Sequence, residues 1–387
     1  MRIGFFTEVY RPVVNGVVES IDALAEGLRE RGHSVYCFAP RMPGAASNER
    51  GDVPIYEMPS LPLPTNTPYR LTLPLVSRRN VNNVIKRLSL VHAHSMFVTG
   101  WMALRYARRY GMPIVYTYHT QLEAYAHYVP FEPNATRFAA SQLTRTFGNL
   151  VDAVVVPTPA MARHLRDIGV EARIEIVPSG IDVERFASGR RDERVRSRLR
   201  VRDDQRLVLF VSRLAREKNV DLLLEAFADA NDPSLRLAIA GDGPARDELE
   251  ARAIELGVRE SVVFLGAVPR EALPDLYASA DAFVFPSTTD TQGLVQAEAL
   301  AAGARVIAAD APQNREVLGG AGVLVEPTRA AFARALRDVP GKPDAALAGR
   351  AKAAAARFSI SSQTERMLDL YASLLDPQPQ GRGQRSA

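Results

Sequence analysis

Two carboxylates eight residues apart, Asp290 and Glu298, flank a glycine-bearing turn in the run PSTTDTQGLVQAEALAAG, from Pro286 to Gly303. Upstream, Ala282-Phe283-Val284-Phe285 is continuously apolar and reads as a buried strand, while Leu294 to Ala302 is rich in helix formers. A strand, a polar loop and a helix N-terminus form an anion site, because the N–H groups of the first turn have no partner inside the helix. Acids beside such a site make chemical sense when they hold hydroxyls. A ligand that joins a diphosphate to a polyol satisfies both groups. Taken alone, the same run is equally an ordinary strand-to-helix turn with a surface acid.

A second basic loop follows the strand-like run Leu207-Val-Leu-Phe-Val211. It reads Arg213-Leu-Ala-Arg-Glu-Lys218 and leads into a helix whose apolar face is Val220, Leu223, Leu224 and Phe227. Arg213 as a fork and Lys218 as a point charge could converge on one diphosphate. A solvated charged turn would look the same. A third loop, Gly241-Asp242-Gly243-Pro244, ends the run Leu235 to Ala240. Its glycines permit close backbone approach, and Pro244 suits a first helical position.

The order of these motifs carries a resemblance. A glycine turn at Gly16, a central His119, R-x4-K, G-D-G-P and the spaced acid pair follow one another as in the retaining glycosyltransferases of sequence family 4, from about Arg2 to about Leu375. The run Pro178-Ser-Gly-Ile-Asp182-Val-Glu-Arg-Phe186 is similar to that family's domain junction. The stretch from Tyr116 to Tyr128 and Asp290-Thr-Gln-Gly293-Leu resemble bacterial diacylglycerol glycosyltransferases. The opening from Thr7-Glu8 to Asn15-Gly16-Val17 is shared with phosphatidylinositol mannosyltransferases, so a GDP-mannose-dependent enzyme acting on phosphatidylinositol or a glycolipid stays open.

The resemblance implies an α/β chain of the GT-B fold, with two doubly wound, Rossmann-like domains facing a cleft. It implies transfer of an α-hexosyl group, glucose or galactose, from a UDP-sugar to diacylglycerol or a related membrane lipid. Residue by residue, Arg213 and Lys218 match the donor-diphosphate cations, Glu298 the acid on the nucleotide ribose and Asp290 the acid on the donor sugar. Thr291, Gln292, Gly293 and Leu294 match the backbone donors to sugar and diphosphate. Gly16, Gly241 and Gly243 match turns that let the donor approach. His119 matches a histidine near the donor sugar and acceptor. Tyr125, His127 and Tyr128 fall on the acceptor side. The nucleotide-sugar is a substrate, and no cofactor is implied.

Three departures stand out. Asp290 replaces the more usual Glu. Ala302-Gly303-Ala304-Arg305 lacks the common Pro after the glycine. Asp310 to Arg315 lacks a glycine pair before Glu316, where the family match is poor.

The chemistry can also be argued from the bond. Breaking a glycosyl–phosphate bond builds negative charge on the leaving diphosphate, and fixed cations and N–H dipoles aimed there lower the barrier. No D-x-D run occurs in the chain, so a metal clamp is not indicated, and that role falls to Arg213 and Lys218. Retention on one face is implied by the resemblance.

Strand-like runs alternating with helical ones argue for two doubly wound α/β halves, whose ligands sit at the carboxyl ends of the strands. The resemblance implies an acceptor-side, membrane-facing domain over residues 1–180 and a nucleotide-sugar domain over 181–358. The resemblance implies that a helix over 359–375 returns to the first domain, and the composition of 376–387 reads as a disordered tail. At 387 residues, 47% hydrophobic and 24% charged, the chain is long enough for two ordinary globular cores. The lone Cys37 cannot form an internal disulfide, which points to a reducing compartment. No apolar leader and no membrane-spanning run is read.

From Met58 to Leu122 there is no Asp or Glu. Ser77 to Leu88 places Val81, Val84, Ile85 and Leu88 on one helical face, with Arg78, Arg79, Lys86 and Arg87 beside it. This basic amphipathic stretch, with Trp101 nearby, suits an anionic lipid surface. A peripheral location on the inner face of the cell membrane is therefore expected, with the chain otherwise cytoplasmic. A solvated, arginine-decorated face is the competing reading. Nucleic acid is not expected as a partner, because no nucleic-acid motif is present and the net charge is only +4. A sugar-nucleotide epimerase would need further catalytic acids and a different order of motifs. Oligomeric state is not readable.

Overall fold

The structure is a computed structural model that describes residues 1–13, 15–42, 53–62, 70–74, 79–128, 132–341 and 344–376; at 79–80 and 126–128 it describes the backbone alone. The chain divides into two compact units, Met1–Gly180 with Ile360–Ala387, and Ile181–Ser359.

The first unit contains β1 (Arg2–Phe6), β2 (Ser34–Pro40), β3 (Ile55–Met58), β4 (Ser60–Pro62), β5 (Arg70–Thr72), β6 (Leu90–Ala93), β7 (Ile114–Thr117), β8 (Ala153–Val156) and β9 (Arg173–Ile176). Seven of them form a parallel sheet in the order β3-β2-β1-β6-β7-β8-β9, and β4 and β5 pair as a separate antiparallel ribbon. Both faces of the sheet are covered, which is why its central strands are apolar without interruption. Successive side chains point to opposite faces. Ile3, Phe5, Val35 and Cys37 join one core layer, while Phe6, Phe38, Val91 and Ala93 join the other.

The first of these layers is closed by two helices, Gly16–Glu30 and the terminal Ile360–Leu375. Ile21 and Leu24 come from one, and Met367, Leu370 and Tyr371 from the other. They touch closely at Gly27, where a Cβ would lie 2.0 Å from the Thr364 hydroxyl. Asn15 caps the first helix by accepting from the Val18 N–H at 3.0 Å, the role expected of Asn at that position.

The second unit contains β10 (Arg206–Val211), β11 (Leu235–Ala240), β12 (Val262–Gly266), β13 (Ala282–Phe285), β14 (Val306–Ala309) and β15 (Val323–Val325). These form a parallel six-stranded sheet, ordered β12-β11-β10-β13-β14-β15. Leu207, Leu209, Phe283 and Phe285 face one layer; Val208, Phe210, Ala282 and Val284 face the other. Strand order reverses beside β10, where the chain moves outward to β11 and β12 and then returns to β13 on the other side. Such a switch point opens a crevice at the carboxyl edge.

The stretch expected to be helical over 77–88 is observed as a helix at Arg79–Ile85, followed by a turn. The Arg87 and Leu88 N–H groups bond back to Val84 and Ile85, and the chain then enters β6. Val81, Ile85 and Leu88 are buried in the unit's own core, with Val84 packed against it. This apolar face is therefore consumed by folding rather than presented to a lipid surface.

Candidate active site

The second unit gathers three loops at the carboxyl edge of neighbouring strands. After β10, Ser212 to Ala215 leads into a 3-10 turn at Arg216–Lys218 and then the helix Val220–Ala230. After β11 comes Gly241-Asp242-Gly243. After β13 comes Pro286 to Gly293, which opens the helix Leu294–Ala301.

The first two loops continue the pairing of their strands. The Ser212 N–H donates to Ala240 O at 3.1 Å, and the Leu214 N–H to Asp242 O at 2.9 Å. A Cβ at Gly241 would meet Ser212 O at 1.8 Å, and one at Gly243 would meet Leu214 O at 2.3 Å. These glycines thus allow loop to lie on loop, a local requirement that exists whatever else binds there.

The first and third loops are stitched more tightly. The Lys218 ammonium donates to Asp290 Oδ1 at 2.5 Å. The Ser287 hydroxyl donates to the Glu217 carbonyl at 3.1 Å, and the Asn219 amide to the Pro286 carbonyl at 3.2 Å. The Arg213 guanidinium donates to the buried Glu217 carboxylate. Lys218 and its side-chain acid are both largely buried, 11% and 17% exposed, so this is a pair held out of bulk water. Asp290 Oδ2 is buried and has no hydrogen-bond partner among the described residues.

Gly293 takes the left-handed conformation, φ 72°, as the N-cap of Leu294–Ala301, and no side chain caps that helix. Behind it lies an amide network that the sequence did not disclose. Gln296 Nε2 donates to Asn314 Oδ1 at 2.9 Å, and Asn314 Nδ2 donates to the carbonyls of Ser287 and Ala309, both at 2.9 Å. Gln313 Nε2 reaches the Thr288 carbonyl at 2.6 Å. Gln296 Oε1 is a second buried acceptor without a partner among the described residues. Gln292 is buried, whereas Thr291 and Leu294 are partly exposed.

Glu298 sits one turn deeper and is also buried. It accepts from the Tyr277 hydroxyl at 3.1 Å and pairs with Arg270 at 3.2 Å. Burial first, and then the Glu298 carboxylate, push the Tyr277 phenol well above its ordinary pKa. Neither Tyr277 nor Arg270 was singled out from sequence; a lone Tyr in a short helix and an Arg in an Arg-rich chain carry no distinguishing signal. Glu316 lies in the helix Pro312–Leu318, and its carbonyl accepts from Arg357 at 2.7 Å.

The first unit holds the remaining candidates. Gly16 is exposed at the N-terminus of its helix. His119 follows β7 at the carboxyl edge of its sheet and belongs to a histidine stack. Its Nε2 is 2.9 Å from His94 Nδ1. His94 stacks on His92 with ring centroids 4.1 Å apart. His92 is held between Tyr371 Oη and Thr117 Oγ1, each at 2.6 Å. Burial lowers the His119 pKa to about 4, and burial with the neighbouring ring lowers His92 to about 3. His94 is pushed well below its ordinary value by burial and both neighbours. His119 is therefore a neutral imidazole with its orientation fixed from behind by His94, which follows β6, a pairing that no local sequence pattern marks.

Tyr125 is partly exposed in the 3-10 stretch Leu122–Tyr128; the side chains of His127 and Tyr128 lie outside the described residues. Arg78 lies outside them too, and Arg79 is described by its backbone alone. Lys86 and Arg87 are exposed, and Trp101 is 41% exposed.

Comparison with known proteins agrees with this architecture. Residues 14–185 match the family model for Glycosyltransferase Family 4, and residues 191–355 match that for Glycosyl transferases group 1. The alpha-monoglucosyldiacylglycerol synthase of Streptococcus pneumoniae is 32% identical over 318 residues, covering 80% of this chain and 71% of that protein. A GDP-mannose-dependent alpha-mannosyltransferase of Mycobacterium tuberculosis is 34% identical over 326 residues, covering 82% and 81%. Among solved structures, a sucrose-phosphate synthase from Thermosynechococcus elongatus superposes with a TM-score of 0.79 at 21% identity, covering 97% of this chain and 100% of that one. Two parallel Rossmann-like sheets, family models over both units and relatives of this extent lead to one conclusion: the chain is a glycosyltransferase of the GT-B fold and belongs to glycosyltransferase family 4.

Proposed function

We propose that the protein transfers an α-hexosyl group, glucose or galactose, from a UDP-sugar to diacylglycerol or a related membrane lipid, with retention of configuration and without a metal ion. The observation that carries this reading is the Lys218–Asp290 pair beside the helix N-terminus at Gly293, with Asp290 Oδ2 and Gln296 Oε1 buried and unpartnered among the described residues. A buried acceptor left without a donor is costly. Sugar hydroxyls supply the missing donors, and the N–H groups of the helix and the side chains of Lys218 and Arg213 suit a diphosphate. When a diphosphate draws Lys218 toward it, Asp290 Oδ1 also becomes an acceptor for the sugar.

In this reading Arg213, Lys218 and the Leu294–Ala301 helix N-terminus meet charge as it grows on the leaving diphosphate. Glu298, held by Tyr277 and Arg270, is a fixed acceptor for the ribose. His119, neutral and braced by His94, lies at the sugar and acceptor side. The lipid acceptor is supported by the similarity to the alpha-monoglucosyldiacylglycerol synthase and by exposed Lys86, Arg87 and Trp101. In this reading docking is peripheral, on the inner face of the cell membrane; no helix among the described residues is long and apolar enough to cross a membrane. The similarity to the GDP-mannose-dependent alpha-mannosyltransferase favours a second reading, mannosyl transfer to phosphatidylinositol or a glycolipid.

Incubation with labelled UDP-glucose, UDP-galactose and GDP-mannose, each with diacylglycerol or phosphatidylinositol, separates the readings. Label from a UDP-hexose in a diacylglycerol product supports the first. Label only from GDP-mannose establishes the second, and no lipid-soluble product from any pair overturns both.

A further inference from the structure

The first unit contains a groove of about 1260 Å³ whose described lining includes none of the residues assigned to sugar transfer. This exceeds the roughly 300–1,000 Å³ of ordinary small-molecule pockets. One wall is a single stripe of the helix Val98–Tyr110, in which Val98, Trp101, Met102, Arg105 and Arg109 recur at three- and four-residue intervals. The helix is 13 residues long, about 20 Å at 1.5 Å per residue. Leu71 of β5 also lines the groove.

Leu71, Phe97 and Trp101 remain 48%, 47% and 41% exposed, a concentration of large apolar side chains that solvent-facing surfaces normally avoid. The groove also has a sign. Lys86, Arg105 and Arg109 line it and are exposed, and no carboxylate among the described residues lies within ion-pair distance of them. The one acid lining it among the described residues, Glu8, is already committed, accepting from the Thr72 hydroxyl at 2.5 Å and from the Thr99 N–H at 2.7 Å.

We propose that this groove receives a fatty acyl chain of a membrane glycerolipid, with the anionic headgroups of neighbouring bilayer lipids at Lys86, Arg105 and Arg109. The proposal rests on the lipid-acceptor reading and names how that acceptor is held. Its basis is complementarity: apolar Leu71, Phe97, Trp101 and Met102 beside cations with no carboxylate partner among the described residues fit a hydrocarbon chain drawn from an anionic membrane. A protein partner or a second copy of the chain would have to bring its own acids to the same place.

Trp101 is the chain's only tryptophan, so its fluorescence reports the groove directly. The full-length protein is titrated with 9,10-dibromostearate below its micelle concentration, with no bilayer present. Saturable quenching at one equivalent is expected. Shortening a competing unbrominated fatty acid by two carbons should weaken competition about tenfold, at roughly 0.8 kcal/mol per methylene. Leu71→Glu, at a half-exposed position and with unfolding by urea checked to be unchanged, should weaken dibromostearate binding at least tenfold. Arg105→Ser with Arg109→Ser should weaken it severalfold while preserving the chain-length dependence.

Linear, unsaturating quenching overturns the proposal, as does affinity independent of chain length or unchanged by Leu71→Glu. So does a sedimentation result showing self-association through the face that Leu71→Glu disrupts. These readings need no turnover. Dibromostearate binding without glycosyl transfer to lipid would sink the functional reading alone, and transfer to lipid without such binding would sink the groove alone.

Discussion

Lowering the pH from 7 to 5 should destabilise the unit formed by residues 1–180 and 360–387 through its histidine stack. His92 and His119 have pKa values lowered from 6.5 to about 3 and about 4. In the unfolded chain they titrate near 6.5. Between those values the unfolded state binds more protons, so stability falls with decreasing pH until the folded values are reached. One pKa unit is worth 1.36 kcal/mol. At pH 5 the unfolded rings are about 1.5 units below their titration point, or about 2 kcal/mol each and about 4 kcal/mol for the two.

His94 adds to this with the same sign. His33, lowered by burial and the N-terminal ammonium, adds weakly. Glu8 opposes, since burial raises its pKa, whereas Glu123, lowered from 4.5 because hydrogen bonds outweigh its burial, titrates below the window. A loss of several kcal/mol is a large share of the 5–15 kcal/mol that holds a typical domain together. Urea titrations at pH 7, 6 and 5, followed by Trp101 emission, should show the midpoint falling by more than about 1 M. His94→Leu should flatten that dependence. An unchanged midpoint between pH 7 and pH 5 would refute the reasoning.

Three further outcomes are expected. Glu298→Gln and Arg213→Ala should each lower kcat/KM at least ~100-fold with thermal unfolding retained; near-normal turnover in either would remove that residue from the site. Activity should persist in EDTA and the new linkage should be α; a strict divalent-ion requirement, or β coupling by NMR, would count against the proposed mechanism. Replacing Arg78, Arg79, Lys86 and Arg87 with Ser should weaken sedimentation with anionic vesicles by up to a few kcal/mol, at about 1 kcal/mol per charge. That binding should also fade in high salt, and unchanged vesicle binding would leave the stripe a solvated face.

The sheets were legible because parallel strands buried on both faces leave uninterrupted apolar runs. Leu235–Ala240 and Ala282–Phe285 are observed as strands at the limits read from the sequence. The loops were legible because glycine and charge cluster where strands end. Pairings across distance were not. Nothing local tells that His92 will meet Tyr371, 279 residues away, or that Gln296 will fix Asn314 and hence the Ser287 carbonyl. A helical periodicity such as Val81–Ile85–Leu88 reveals an apolar face but not what covers it, and here the unit's own core does. The positions of Lys218 and Asp290 on two loops were readable, but their direct ion pair follows only from β10 and β13 being neighbours.

The split of the first unit into residues 1–180 and the segment from Ile360 onward governs the order in which the molecule can be completed. On the ribosome, Ile181 to Ser359 emerges as one continuous stretch carrying every strand of its sheet. It can finish its core while the earlier-made unit still lacks Met367, Leu370 and Tyr371. Domains generally mature from the N-terminal end; here the first-synthesised unit matures last. Until the terminal helix is released, Gly27 has no helix to approach and His92 no phenol to bind. Translation arrest or proteolysis just after Ser359 would therefore yield a finished second unit tethered to an unfinished first one.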